Sequence, residues 1–264
     1  MVTVLLVIFG FVAGLLGALT GIGGGVLLTP VLALHFGVPI RQAIGTSLVA
    51  VITTSAASSS VHLQRHTTDI RLGMTLELAT AMGAAVMAYL VGYFNRSVLE
   101  GLFAAFLLYS SFTILRSGGK LKSDKHAAAM TPNGEIPPYT PKRYPLGLSA
   151  SLVAGGLSGL LGIGGGPIKV PVMFIFMDVP LIVATATSNF MIGVTAAASA
   201  IVYYRRGDIQ PGIAAPLAVG VFVGSLLGAR LAPRVHTKVV VYLLVAVMLY
   251  LAAHLSVHLL GEVL

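Results

Sequence analysis

The sequence predicts an all-α membrane protein that crosses the bilayer many times and is built from two homologous halves. Of its 264 residues, 56% are hydrophobic and only 9% are charged, whereas a soluble domain has about 25% charged residues. Apolar runs of roughly 17–25 residues, each long enough to cross a bilayer, recur from one end to the other. The five-residue word GIGGG also occurs twice, at residues 21–25 and 162–166.

Ten apolar blocks divide the chain into two repeats. We expect about 8–10 membrane segments, in a first repeat (residues 1–115) and a second repeat (residues 146–264) joined by a linker loop (residues 116–145). The linker is rich in lysine, arginine and proline, which is typical of a solvated loop. The blocks are 2–19, 26–36, 40–63, 71–94 and 98–115, then 146–161, 167–177, 180–204, 211–232 and 238–260.

A shift of 141 residues superimposes the two halves of the sequence. Residues 21–25 then coincide with residues 162–166, and further matches follow in the same register. So many matches in one register indicate an internal duplication. The further matches are Pro30-Val31 with Pro171-Val172, Val38-Pro39 with Val179-Pro180, Ala43 with Ala184, Thr46-Ser47 with Thr187-Ser188, and Gly83 with Gly224.

Each half contains an interrupted membrane element. After GIGGG comes an apolar block of about eleven residues, which as a helix spans about 17 Å at 1.5 Å per residue. The hydrocarbon core of a bilayer is about 30 Å thick, so we expect glycine-broken helices that are re-entrant or discontinuous. Such segments at matching places in two repeats are typical of the binding site of a secondary transporter.

These features resemble the TauE/SafE family of sulfite exporters. The resemblance is carried by the doubled GIGGG with a proline downstream, by the Val-Pro that follows and by the Thr-Ser pairs, and it covers nearly the whole chain outside residues 116–145. It implies a secondary transporter that exports small sulfur-containing anions, such as sulfite or organosulfonates, across the bacterial inner membrane. It implies no enzyme activity and no cofactor. The expected partners are the anion and the lipid bilayer, and a homo-oligomer is compatible with this function.

The doubled glycines suit an anion site made of backbone. Glycine-rich backbone that turns into a helix offers free N–H groups, and the helix dipole adds about half a positive charge there. We expect the two words to meet near the middle of the membrane and to bind one anion between them. Alternatively, the glycines only allow helices to pack closely. The candidate ligands are Gly23, Gly24, Gly25, Gly164, Gly165 and Gly166.

Polar side chains near the glycines extend the candidate site. Lys169 lies in an apolar stretch, where a buried lysine usually faces a transport pathway or a counter-charge. The alternative is a lysine that snorkels to the interface; its counterpart in the first repeat is Leu28. Hydroxyl and amide groups early in two long helices either complete the hydrogen bonds of the anion or join the helices. They are Thr46, Ser47, Thr187, Ser188 and Asn189.

Glu77 is the candidate for proton coupling, because a carboxyl group in an apolar setting can carry a proton. The alternative is an interfacial carboxylate that faces water or pairs with Arg71. We expect no metal centre, since the chain has no cysteine and its histidines lack a metal-ligand spacing. The three histidines considered are His62, His254 and His258.

The basic residues predict the topology. They lie at the ends of apolar blocks, where they orient helices rather than bind nucleic acid. Inverted halves would place eleven Lys and Arg residues on one side and four on the other, and parallel halves would place ten and five. Both threadings put the 116–145 loop in the cytoplasm. We favour the inverted one, because its glycine loops enter from opposite faces and can meet.

Two other functions fit parts of the sequence. A passive anion channel could use the same glycine site. An intramembrane serine protease fits the segment Gly156-Leu157-Ser158-Gly159, with His254 or His258 as the base, provided that nucleophile and base come within hydrogen-bond reach. The duplication has no role in such a dyad, so a transporter remains the main prediction.

Overall fold

The computed structural model describes residues 2–120, 138–232, 235 and 237–263, and over these residues it contains helices and no strand. Ten α-helices follow one another. A 3₁₀ turn (Val91–Tyr93) extends α4, and a π-helix (Val172–Phe176) extends α7. The helices are α1 (Val2–Thr20), α2 (Gly25–His35), α3 (Ile40–Gln64), α4 (Ile70–Leu90), α5 (Arg96–Lys120), α6 (Tyr144–Leu161), α7 (Gly166–Pro171), α8 (Leu181–Arg205), α9 (Pro211–Leu231) and α10 (Thr237–Val263).

Seven of the described helices are long and apolar enough to cross a membrane. Three shorter apolar helices accompany them: α2, the segment Gly166–Phe176 that begins with α7, and the part Tyr242–Val257 of α10. The prediction of an all-α polytopic membrane protein is therefore confirmed. Both halves also have their helices in the same order of lengths, with a short helix in second place. A duplication produces this order, although the duplication itself stays a prediction.

Helices α1 and α9 pack with their backbones in contact. A Cβ added at Gly220 would lie 2.0 Å from Val7 O, and one added at Gly224 would lie 2.1 Å from Phe11 O. Such close approach needs glycine, as is common between membrane helices. Because the residue numbers rise together along the contact, the two helices run parallel.

Helices α4 and α6 form a second pair of the same kind. A Cβ added at Gly155 would lie 2.0 Å from Thr80 O, and one added at Gly159 would lie 2.2 Å from Ala84 O. These two helices are therefore parallel as well. Under the shift of 141 residues, α1 corresponds to α6 and α9 to α4, so the two pairs are equivalent.

Helices α3 and α8 run antiparallel past each other. Thr46, early in α3, accepts a hydrogen bond from Gln210 N at 3.2 Å, just after the end of α8. Thr187, early in α8, accepts one from Asp69 N at 3.0 Å, just after the end of α3. Since Asp69 precedes α4 and Gln210 precedes α9, helices α4 and α9 begin at opposite faces of the protein.

The first helices of the two halves consequently run in opposite directions, because α1 is parallel to α9 and α6 is parallel to α4. The arginines are likewise divided between the two faces of the protein. Arg65 Nη1 donates to Ala229 O at 3.0 Å, beside Arg230, whereas Arg41 Nη2 donates to Phe94 O at 2.7 Å on the other face. The inverted threading predicts this grouping, and the parallel threading does not.

The predicted linker is described only at its two ends. Helix α5 continues to Lys120, so the first five residues of the predicted linker are helical, and residues 121–137 lie outside the described residues. Ahead of α6, Tyr139 donates to Asp69 Oδ2 at 2.6 Å and Lys142 pairs with Asp178 at 3.0 Å. Burial and the neighbouring Asp69 carboxylate raise the pKa of Tyr139, which keeps its hydroxyl a donor. These contacts attach the segment to the face where α4 and α8 begin.

Candidate functional site

The two GIGGG segments cross each other in the interior of the protein. A Cβ added at Gly25 would lie 2.3 Å from Gly162 O, and one added at Gly166 would lie 2.3 Å from Gly21 O. Every residue of both segments is buried. The two contacts are equivalent under the shift of 141 residues. The structure therefore brings the two words together, as the sequence predicts.

Glycine is required at the same three positions of each word. The first, third and fourth residues have positive φ angles, which residues with a side chain rarely adopt. These turns lead the chain directly into α2 in one half and into α7 in the other. The φ angles are 73°, 88° and 63° at Gly21, Gly23 and Gly24, and 70°, 76° and 76° at Gly162, Gly164 and Gly165.

Several buried amides at the crossing have no acceptor among the described residues. The N–H groups of Gly24, Gly164 and Gly165 make no hydrogen bond within the described part of the chain, whereas that of Gly25 donates to Gly23 O at 2.6 Å. An unpaired buried N–H is unfavourable by about 1–3 kcal/mol, and most are paired in native proteins. Amides left unpaired in this way are suited to the acceptor atoms of a ligand or of water.

The Thr-Ser pairs hold the crossing in place. Ser188 Oγ donates to Gly21 O at 2.9 Å, and Ser47 Oγ lies 3.2 Å from Gly162 O, so each serine contacts the first glycine of the opposite word. The threonine hydroxyls of both pairs accept from the backbone amides just ahead of α4 and α9. All four hydroxyls therefore have partners within the protein. In this arrangement they join helices, which is the alternative role that the sequence leaves open.

Asn189 lies next to the crossing, but its unpaired side-chain atom is not a hydrogen-bond donor. Its Nδ2 donates to Ala18 O at 3.2 Å and lies 3.4 Å from His62 Nε2. Its Oδ1 is buried and makes no hydrogen bond among the described residues. Because the unpaired atom is an acceptor, this side chain could donate to an anion only by giving up its contact with Ala18 or with His62.

Lys169, Glu77 and Thr195 form a closed polar cluster, the Lys169 cluster, in the interior of the protein. Lys169 Nζ lies 3.2 Å from Glu77 Oε2 and 2.9 Å from Thr195 Oγ1, and the Thr195 hydroxyl donates to Glu77 Oε1 at 2.6 Å. Lys169 is 2% exposed and Glu77 is 4% exposed. The cluster joins α7, α4 and α8. Lys169 therefore does not snorkel, and Glu77 pairs with Lys169 rather than with Arg71.

The Lys169 cluster adjoins the glycine crossing. A Cβ added at Gly165 would lie 3.2 Å from Lys169 Cε, so the lysine stem passes directly beside one of the unpaired amides. The sequence points to Lys169 and Glu77 separately but not to their contact. It also leaves out Thr195, although this residue follows Thr187 and Ser188 by eight and seven residues and so lies on the same face of α8.

Ser158 and His254, two residues of the protease alternative, form no dyad among the described residues. Ser158 Oγ is buried without a hydrogen-bond partner in the described part of the chain. His254 instead stacks on Tyr250, with ring centroids 6.0 Å apart, and lies 5.9 Å from the ring of His35. The side chain of His258, the other candidate base, lies outside the described residues. Among the described residues no three His, Asp or Glu side chains are grouped as metal ligands.

Comparison with known proteins identifies relatives over most of the chain. The profile of the family Sulfite exporter TauE/SafE matches residues 6–255. YunE of Bacillus subtilis, a probable membrane transporter protein, is 29% identical over 230 residues, which are 83% of this chain and 84% of YunE. A probable membrane transporter protein of Methanocaldococcus jannaschii is 30% identical over 176 residues, 64% of this chain and 60% of that protein. No solved structure matches the chain significantly.

Proposed function

The chain belongs to the TauE/SafE family of sulfite exporters, and on this premise we propose that it exports small sulfur-containing anions, such as sulfite or organosulfonates, across the bacterial inner membrane. It is a multi-pass membrane transporter, and its relatives are described as probable membrane transporter proteins. The family name supports the choice of sulfur anions. The geometry of the glycine crossing supports an anion as the cargo.

The observation that carries the proposal is the set of unpaired amides where the two GIGGG words cross. Gly24 and Gly165 occupy equivalent positions in the two words, and both are buried with free N–H groups. An oxyanion of sulfur presents several acceptor oxygens to such donors, whereas a metal cation presents none. Amides at the start of a helix also carry partial positive charge, which favours an anion further. In this proposal the anion lies between the two words and receives a hydrogen bond from each.

The basic residues support an orientation with the linker in the cytoplasm. The face that carries Arg65 and Arg230 also receives the segment that leads into α6. In the inverted arrangement this face collects eleven of the Lys and Arg residues, and the other face has four. Cytoplasmic loops are enriched in such residues. We therefore assign this face, with residues 116–145, to the cytoplasm.

The energy source in this proposal is an ion gradient or the gradient of the anion itself. GIGGG is not a nucleotide-binding loop, because Val26 and Pro167 stand where the dinucleotide fingerprint needs its third glycine. The stretch around Lys169 lacks the neighbours of a Walker lysine. The lack of both nucleotide-binding patterns is consistent with a secondary transporter, in which the binding site lies at the contact of two repeats.

Counterflow in proteoliposomes tests the proposal. The purified protein would be reconstituted with one unlabelled anion inside, and uptake of the labelled anion would be followed for sulfite, sulfoacetate, thiosulfate and sulfate in turn. We expect saturable accumulation of at least one of them. Flux without counterflow would indicate the channel instead, and the absence of flux for all four anions would contradict the substrate class.

A further inference from the structure

The Lys169 cluster carries no net charge as long as both of its charged members are ionised. The Lys169 ammonium and the Glu77 carboxylate face each other at 3.2 Å, and Thr195 hydrogen-bonds to both. Among the described residues of α4, α6 and α8, no other charge is placed to alter this balance. Helix α6 has no charged residue, the charge of α8 is Arg205 at its last position, and the remaining charge on α4 is Arg71 in its first turn.

This neutrality limits what Lys169 can do for an anion at the glycine crossing. The ammonium belongs to the residue whose stem passes beside the Gly165 amide, but its charge is offset by a carboxylate in direct contact. An anion that enters therefore competes with Glu77 for Lys169, and the unpaired Glu77 carboxylate would be left in an apolar interior, which is strongly unfavourable. A proton on Glu77 removes both obstacles.

We infer that the Lys169–Glu77 contact keeps the site in a low-affinity state, and that protonation of Glu77 releases Lys169 to bind the anion. The inference rests on the proposed function and adds its regulation. One proton passes from water to a carboxylate oxygen of Glu77, and the cluster changes from neutral to singly positive. The ammonium then donates to an oxygen of the anion, while Thr195 remains a partner for the neutral carboxyl group. By linkage, anion binding promotes proton uptake to the same extent that the proton promotes anion binding.

A difference between the two halves of the sequence supports one proton-sensitive Lys-Glu pair per protein. Under the shift of 141 residues, Lys169 corresponds to Leu28 and Glu77 corresponds to Ala218, whereas Thr195 corresponds to Thr54. The two charges are thus missing together from the other half, while the hydroxyl is present in both. A lysine and a glutamate that occur only as a pair act as a unit, so the stoichiometry is one proton for each anion site.

Anion affinity measured by titration calorimetry between pH 6 and pH 9 tests the inference. The probes are thiosulfate, sulfate and sulfoacetate, which stay ionised over this range, together with sulfite. We expect wild-type affinity to fall about tenfold to a hundredfold as the pH rises, because a charge-assisted hydrogen bond is lost. Glu77→Gln mimics the protonated carboxyl group and should bind tightly at every pH. The matched control is Glu100→Gln. Glu100 is a second buried glutamate and pairs with Arg96 on α5, so this variant should behave like the wild type.

The outcomes separate this inference from the function on which it rests. If the wild type binds none of the probes at any pH, the proposed function fails and the inference fails with it. If an anion binds with the same affinity at every pH, or if Glu77→Gln folds and keeps the pH dependence, the inference alone is overturned. The wild type provides a second measurement that needs no variant. Calorimetry in two buffers of different ionisation enthalpy should show uptake of up to one proton per anion, and no uptake would overturn the inference.

Discussion

Replacing Gly24 by alanine adds one methyl group at the crossing of the two glycine words. The new Cβ would lie 3.1 Å from Ala13 O and 3.5 Å from Thr54 Oγ1, so the steric conflict is small. The backbone angles, φ 63° and ψ −30°, lie outside the left-handed helical region and are unfavourable for alanine by about 1–3 kcal/mol. Gly165→Ala, with φ 76°, would place its Cβ 3.1 Å from Ala154 O and also 3.2 Å from Lys169 Cε, the flexible end of a side chain. Both variants should therefore fold, with slightly lower stability.

Gly37 provides a matched control. Its φ angle is also 63°, and a Cβ added there would meet no atom within 4 Å. Gly37→Ala therefore also places a side chain on a residue of positive φ, but it lies in the turn between α2 and α3, away from the unpaired amides. Stability should fall in all three variants, by about 1–3 kcal/mol.

Anion binding should separate the crossing variants from the control. In the account above, Gly24 and Gly165 each donate one amide hydrogen bond to the anion, and a hydrogen bond to a charged group contributes about 1.5–3 kcal/mol. Misdirecting either amide should weaken binding about tenfold to a hundredfold, while Gly37→Ala binds like the wild type. The assay is calorimetric titration of folded, monodisperse protein in detergent. If Gly24→Ala and Gly165→Ala bind as tightly as Gly37→Ala, the crossing serves only helix packing.

Three further predictions concern the surroundings of the crossing. Lys169→Met leaves Glu77 unpaired in an apolar interior, so thermal unfolding should show that the free energy of unfolding falls by about 3–5 kcal/mol. The double variant Lys169→Met/Glu77→Gln should recover most of this stability. Equal stability of the single and double variants would contradict the ion pair. Ser188→Ala removes the donor to Gly21 O and should destabilise the protein by about 1–3 kcal/mol in the same assay, and unchanged stability would contradict its clamping role. A cysteine at Ser123, in a chain without native cysteine, should resist a thiol reagent restricted to the periplasm, and labelling would contradict a cytoplasmic linker.

The general architecture could be predicted because it depends on local sequence. Apolar runs of bilayer length predict membrane helices, and the interruption by GIGGG predicts the short helices α2 and α7. Because GIGGG occurs twice, the sequence also predicts that both copies contribute to one site, since repeats in transporters meet at the binding site. The glycines themselves are recognisable because few other residues tolerate their positive φ angles.

The partners of the polar side chains could not be predicted, because they depend on packing between the halves. Lys169 and Glu77 are 92 residues apart, in different halves of the chain, and only the folding of α7 against α4 brings them together. The sequence likewise shows that Ser47 and Ser188 are equivalent, but not that each contacts the opposite glycine word. When a side chain has several possible partners, its actual partner can be identified only once the positions of the surrounding helices are known.

The most direct measurement of the central claim is the position of a bound anion. Selenite is a close analogue of sulfite, and its selenium atom can be located by anomalous scattering in crystals of the protein. If the anion binds at the glycine crossing, the crystals should show one selenium peak between the two GIGGG words, with selenite oxygens within hydrogen-bond distance of the Gly24 and Gly165 amides. A peak elsewhere in the protein, under conditions in which selenite inhibits sulfite counterflow, would contradict the claim that the crossing of the glycine words is the transport site.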